Sequence, residues 1–428
     1  MRYGTLAVGA LFLAASALFT PAPAADEAVT AQLQQIVDDY QAQNAATEGF
    51  TGIELQVSLG DAGPVIAVSS GNDGLRNAQP MTTGALFQIG SNTKSFTAAL
   101  ILKLEAAGKL KIDQTIGDWL PEYPAWKSVT IRSLLNMTSG IPTYDETEDI
   151  GAKQLDLNYQ FTPQELIAAV DPDEGSNIPP TTGYSYSNTN YILAGLIIER
   201  ASGMSYEEAL EKLIFKPLHL TNTYYFNGPT PRSIVRRMPA GFYNDPTCLD
   251  YQPGAPCSGP ESTLYPLIGT DTRAENMSWA GPAGSIIATL GDLAQWWRAV
   301  FELRVFPQAQ LDEMEMLISA STTNQIPLGH PIPGSTSAEN PFGFGLGVAQ
   351  LYNASLQGYI WYYQGEGLAY RAIFAYWPQY NLVVTAAVNS TVSALVGPNF
   401  TNGVLPATLA ALLSAGVIDN SGAATASQ

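Results

Sequence analysis

Residues 87–110, FQIGSNTKSFTAALILKLEAAGKL, decide what kind of molecule this chain is. A polar turn around Gly90-Ser91-Asn92 runs into a stretch of helical character. Its Phe96, Ala99, Leu100, Leu102 and Leu104 leave no polar face, so the helix is expected to be buried until Gly108 ends it. Ser91 and Lys94 sit at its entrance, and positions i and i+3 share one helix face. The ordinary reading makes Ser91 an N-cap and Lys94 a solvated first-turn cation. The chemical reading makes them a nucleophile and its base. A serine at a buried helix N-terminus gains the dipole and free N–H groups that favour a developing oxyanion. Burial of the lysine disfavours its charged form and frees the amine to accept a proton. This is the only Ser-x-x-Lys in the chain, and its helix offers the lysine no solvent face. Both facts favour the chemical reading.

Outward from this stretch, the chain of 428 residues is long enough for one large domain with an inserted subdomain. Its start, MRYGTLAVGALFLAASALFTPAPAADEA, carries one Arg2, an apolar run too short to span a bilayer comfortably, and a small-residue end. It reads as a signal peptide over 1–24, cleaved near Ala24/Ala25. No later segment approaches membrane length, so the mature protein is expected to be exported, periplasmic or secreted, without a membrane span. Cys248 and Cys257, in a turn-rich stretch, are expected to pair in such an oxidising compartment. With two histidines, neither near a cysteine, a metal role is disfavoured. The net charge of -19 argues against nucleic acid and anionic membrane surfaces as partners.

An amphipathic helix is expected over 30–43 and a β-hairpin over 51–73. FTPQELIAAV and SGMSYEEALEKL each present a capping box, Thr162 with Glu165 and Ser205 with Glu208. Residues 225–280 read as irregular. From Gly343 the pattern turns to strands, FGFGLGVAQL, GYIWYYQG, YRAIFAYWP and NLVVTAAVN, followed by a helix over 401–413. Strands at both ends with helices between them predict an α+β fold, an antiparallel sheet built from both termini and flanked by helices. The expected organisation is one main domain over 25–415, a helical insertion over approximately 113–180 and a loose tail over 416–428.

Two further stretches carry chemistry. Tyr186-Ser187-Asn188 precedes an apolar helix. A phenol there can exchange protons with a serine and a leaving group, and the amide can bond both the lysine and a substrate. The bland reading is a Tyr-rich loop with a cap, and Tyr225-Phe226-Asn227 has the same spacing. Tyr363-Gln364-Gly365 ends a strand whose edge can hold an acyl substrate, with the Glu366 N–H as a second oxyanion donor beside that of Ser91. Its bland reading is a glycine-containing hairpin. No Gly-x-Ser-x-Gly elbow occurs and His219 lies in a packing turn, which argues against a Ser-His-Asp triad.

The order Ser-x-x-Lys, Tyr-x-Asn, then aromatic-x-Gly on a late strand resembles the serine β-lactamase-like hydrolases. These include class C β-lactamases, D-alanyl-D-alanine carboxypeptidases, D-aminopeptidases and esterases of that fold. VTIRSLLNMTSGIP (129–142), YSYSNTNYILAGLIIERASG (184–203), GPAGSIIATLGDLAQW (281–296) and FGFGLGV (342–348) resemble family segments in the right order. The resemblance implies a β-lactamase/transpeptidase-like fold and an acyl-enzyme mechanism, with no metal or organic cofactor. By position it makes Ser91 the nucleophile, Lys94 its base, Tyr186 the acid/base and Asn188 the amide-positioning residue. Gly365 and Glu366 become the oxyanion edge.

One departure bears on substrate. The third motif of the family usually begins with Lys or His, and here it begins with Tyr363, which brings no charge to hold a substrate carboxylate. Glu366 adds a negative charge, and Arg371 is the candidate to restore a cation. The expected function is therefore an exported serine hydrolase acting on a small ester, amide or short peptide, an esterase or D-amino-acid-amide hydrolase. The rivals are a β-lactamase or D-alanyl-D-alanine carboxypeptidase, and a non-catalytic penicillin-binding-type sensor.

Overall fold

The computed structural model describes residues 24–60, 65–172, 183–244, 260–392 and 400–419. Cys248 and Cys257, the signal segment before Ala24 and most of the expected tail lie outside the described residues.

Eight strands form one antiparallel sheet: β1 (Gly52–Leu59), β2 (Val65–Gly71), β3 (Ile318–Ser319), β4 (Phe342–Phe344), β5 (Ala349–Asn353), β6 (Gly358–Glu366), β7 (Arg371–Trp377) and β8 (Leu382–Val388). Their order across the sheet is β2-β1-β8-β7-β6-β5-β4-β3. The N-terminal hairpin thus pairs directly with the last strand, Ile53 opposite Val388 and Leu59 opposite Leu382.

Alternation along the strands sorts their side chains into two cores. On β7, Ile373, Ala375 and Trp377 join the core that packs on α1 (Ala24–Glu48) and the C-terminal helix. Ala372 and Phe374 face the opposite core, where the Trp297 and Phe374 rings stack with centroids 3.7 Å apart. That second core holds α2 (Thr93–Ala106), α3 (Asn188–Ser202) and α4 (Leu290–Phe301). α2 is buried on nearly every face, as its apolar sequence requires.

Ser205 and Glu208 form the expected capping box. Thr162 caps its helix as expected, but Glu165 does not return to the cap. Its carboxylate instead accepts from Lys153 Nζ at 2.8 Å and the Tyr159 hydroxyl at 2.6 Å, and these charged and phenolic donors outbid a backbone N–H.

Arg371 does not supply the cation considered for the cleft. It is fully buried on the α1 side of the sheet, ion-paired with Glu48 at the end of α1, which is itself fully buried.

Candidate active site

The cleft assembles where α2, α3 and the end of β6 meet. Gly90–Asn92 forms a tight 3-10 turn leading into α2. Asn92 locks the turn to the sheet, donating to the Ile89 carbonyl at 2.9 Å and to the Ala372 carbonyl of β7 at 3.1 Å. The end of β6 lies against this turn so closely that neither chain tolerates a side chain at the crossing. A Cβ at Gly365 would come within 1.9 Å of the Ile89 carbonyl and 2.7 Å of the Ser91 nitrogen. One at Gly90, whose φ is +51°, would come within 2.4 Å of the Glu366 nitrogen. The glycines therefore bring the Ser91 and Glu366 backbones together at one spot, as an oxyanion site requires.

Ser91 is not a helix cap. No side chain caps α2 or the turn before it. The Ser91 hydroxyl lies 2.7 Å from the Tyr186 hydroxyl and accepts from Lys94 Nζ at 2.9 Å. Lys94 is equally far from a solvated surface lysine, with no exposed area at all. Its Nζ also donates to Asn188 Oδ1 at 2.6 Å and to the Ala283 carbonyl at 2.9 Å, and lies 4.8 Å from the centre of the Tyr186 ring. Burial brings the amine down from 10.5 to about 7, against the opposing pull of the Asp145 charge.

These partners set the direction of the amine. Two of the three, the Asn188 and Ala283 carbonyl oxygens, can only accept. In neutral Lys94 they occupy both N–H bonds, and the lone pair is left facing the Ser91 hydroxyl.

Tyr186 hydrogen-bonds both Ser91 and Tyr363. Enclosure of its hydroxyl raises the phenol above its ordinary range. The bonds to Ser91 and Tyr363 pull the other way, and the charges of Asp145 and Glu366 add to the rise. The residue keeps 37% of its surface exposed, so water tempers this effect in the unliganded protein. Tyr363 itself is buried beside Tyr186.

The cleft encloses about 400 Å³, with aromatic walls that include Tyr184, Trp279, Phe342, Phe344 and Tyr362. Its lining among the described residues contains two carboxylates, Asp145 and Glu366, and no cationic side chain. The structure thus brings together Ser91, Lys94, Tyr186, Asn188, Tyr363, Gly365 and Glu366 in one place.

Sequence reading missed Asp145, Ala283 and most of the aromatic wall. Asp145 stands three residues beyond the VTIRSLLNMTSGIP segment, and nothing in its spacing marks it. Ala283 acts through its carbonyl, and a backbone atom leaves no residue-type signature.

Residues 32–402 match the family model described as Beta-lactamase. The chain belongs to the beta-lactamase family. Within that family it is 35% identical over 185 residues to penicillin-binding protein 4* of Bacillus subtilis (strain 168), across 42% of this chain and 38% of that protein. It is 37% identical over 145 residues to penicillin-binding protein 4 of Amycolatopsis lactamdurans, across 33% of this chain and 36% of that protein. These alignments span little more than a third of either relative's length.

Solved structures align far more completely. A D-amino acid amidase from Ochrobactrum anthropi SV3, complexed with L-phenylalanine amide, gives a TM-score of 0.71 at 25% identity over 90% of this chain and 98% of that one. A D-stereospecific amidohydrolase from Streptomyces sp. gives 0.65 at 25% identity, over 84% and 94%. As a beta-lactamase family member, the chain has the antiparallel α+β architecture that its motif order implied. No helix among the described residues is long and apolar enough to cross a membrane.

Proposed function

We propose that this protein is a serine hydrolase that works through an acyl-enzyme on amides or esters. The observation that carries the reading is the hydrogen bonding of the Ser91 hydroxyl to both Lys94 and Tyr186, beside an enclosed amine near neutrality. Neutral Lys94 takes the Ser91 proton as Oγ bonds to the substrate carbonyl carbon. The oxyanion is held by the Ser91 and Glu366 N–H groups. Collapse expels the amine or alcohol, which receives a proton through Tyr186. Water, activated by the same groups, then attacks the ester, releases the acid and returns the proton to Ser91.

The cleft's chemistry narrows the acyl donor. Aromatic walls favour a bulky apolar group, and Asp145 and Glu366 favour a free ammonium and disfavour a carboxylate. Amides of amino acids with a free amino group, and neutral esters, fit best. The alignments with a D-amino acid amidase and a D-stereospecific amidohydrolase support this direction. The similarity to penicillin-binding proteins favours a second reading, a β-lactamase or D-alanyl-D-alanine carboxypeptidase. The absence of a cationic lining residue among those described counts against it.

The proposal includes export. The chain is cleaved near Ala24/Ala25, and Cys248 and Cys257 then pair. N-terminal sequencing and thiol titration of secreted protein test this, and an uncleaved chain or two free thiols contradict it.

The central test is fluorophosphonate labelling with peptide mapping, followed by a panel of D- and L-amino-acid amides, p-nitrophenyl esters, a D-Ala-D-Ala peptide and nitrocefin. Modification at Ser91, lost in Ser91→Ala, with turnover of amides or esters ahead of nitrocefin, is expected. Absence of covalent labelling favours a non-catalytic binder instead.

A further inference from the structure

Asp145 lies one hydrogen bond behind the reacting groups. Its Oδ2 accepts from Asn188 Nδ2 at 2.8 Å, and the other face of that amide, Oδ1, accepts from Lys94 Nζ. The carboxylate is held by a second donor, a hydroxyl, and its loop is pinned in turn. The Thr143 hydroxyl donates to Asp145 Oδ1 and accepts from the Asn188 N–H at 3.0 Å. The Thr189 hydroxyl accepts from the Tyr144 N–H at 3.1 Å and donates to the Pro142 carbonyl at 2.6 Å. The Tyr144 hydroxyl reaches the Trp279 carbonyl at 2.6 Å. The loop 142–145 is thus clamped to the start of α3.

We infer that Asp145 is a positioning residue for the reaction, acting through Asn188 to aim the lone pair of Lys94 at Ser91 and through its charge to set the proton affinity of that amine. The inference rests on the proposed role of Lys94 as the base. A carboxylate can only accept, so it fixes which end of the Asn188 amide faces it. With Nδ2 turned to Asp145, Oδ1 must face Lys94. Without Asp145, Asn188 is free to rotate by half a turn and present an N–H to Lys94. A neutral amine meeting that donor would spend its lone pair on Asn188, and Ser91 would lose its base.

The electrostatic part has a definite sign. Tyr186 and Tyr191 face Lys94 with ring centres 4.8 and 5.4 Å from Nζ, and Tyr363 and Glu366 stand beyond Tyr186 on β6. The Gly281–Gly284 turn contributes the Ala283 carbonyl. Asp145 is the carboxylate whose charge favours the protonated amine, opposing burial. Neutralising it makes Lys94 easier to deprotonate, so the acid limb of acylation moves to lower pH.

The experiment compares the pH dependence of acylation by a neutral p-nitrophenyl ester in wild type, Asp145→Asn and Asp145→Ala. Asp145→Asn keeps an acceptor for Asn188 and removes the charge. Its acid limb is expected to move down by at least about half a pH unit. Asp145→Ala removes both, and its limiting rate is expected to fall about 100-fold, as for other small misplacements of reacting groups. Asp145→Glu, which keeps the charge, should retain the wild-type limb. Should the Asn variant not fold, Asp145→Ser against Asp145→Glu gives the same comparison. A purely structural role would lower the yield or Tm and leave the limb where it is. An acid limb unmoved or raised in the charge-neutral variants overturns the inference while leaving the proposed function intact. A wild-type protein that does not acylate at Ser91 overturns both.

Discussion

Among the described residues two cations, Arg371 and Lys94, are wholly buried, and they meet opposite fates. Arg371 lies on the α1 side of the sheet in direct contact with the Glu48 carboxylate. Lys94 lies on the other side and hydrogen-bonds only to neutral oxygens, with the Asp145 carboxylate one hydrogen bond further off through Asn188. The guanidinium, paired directly with a carboxylate, serves as a structural tie. The Lys94 amine, without a direct counter-charge, gives up part of its proton affinity, as the proposed role of base requires. Burial alone does not make a catalytic group. What matters is burial with the compensating charge held at a distance.

The comparison breaks first at the two cations themselves. Replacing Lys94 by Met should lower kcat/KM by about 10²–10⁴-fold, the usual worth of a general base. Stability should change by no more than about 1–3 kcal/mol, the cost of two acceptors losing a donor. Arg371→Met should do the reverse. It leaves the Glu48 carboxylate buried without its ion pair, a loss of about 3–5 kcal/mol, and does not touch the cleft. Urea melts and steady-state rates on both variants check this, and equal effects on rate and stability at the two sites would erase the distinction.

A smaller effect is expected where the strand meets the nucleophile turn. Gly365→Ala places a methyl against the Ile89 carbonyl and must push β6 away from Ser91. Loss of one oxyanion donor costs about 10²–10³-fold in kcat, so acylation rather than binding should suffer. Unchanged kcat with raised KM would place the oxyanion site elsewhere.

The smallest effect is one of preference. Tyr363→Lys puts a cation where the described cleft lining has none, and should improve the ratio of carboxylate-bearing to neutral substrates about tenfold, the equivalent of a single weak ion pair. The absolute rate should fall, since Tyr363 also bonds Tyr186. A ratio that stays put would mean that Tyr363 only packs.

Much of this was readable beforehand, for a physical reason. Strands such as RAIFAYW and LVVTAAV announce themselves by β-branched and aromatic runs, and an all-apolar helix announces its burial. Ser91, Lys94, Tyr186 and Asn188 stand at helix entrances, where spacing constrains geometry. Arg371 was not readable, because which face of the sheet it takes depends on the register of β7 between its neighbours. Asp145 was hidden for a similar reason. It enters through a short loop with no period, and only packing brings it behind Asn188.

Stability carries the same signature as catalysis. Between about pH 7 and 10.5, the folded and unfolded values for Lys94, the unfolded chain holds a proton that the native chain has lost. The contribution of this group to stability therefore rises with pH across that window.

The most direct measurement is an NMR titration of the protein labelled at lysine Cε, with the Lys94 resonance assigned by its loss in Lys94→Met. The account predicts that Lys94 titrates near pH 7, in step with the acid limb of Ser91 acylation. A Lys94 resonance that titrates near 10.5, or an acylation rate indifferent to pH between 6 and 8, would contradict it.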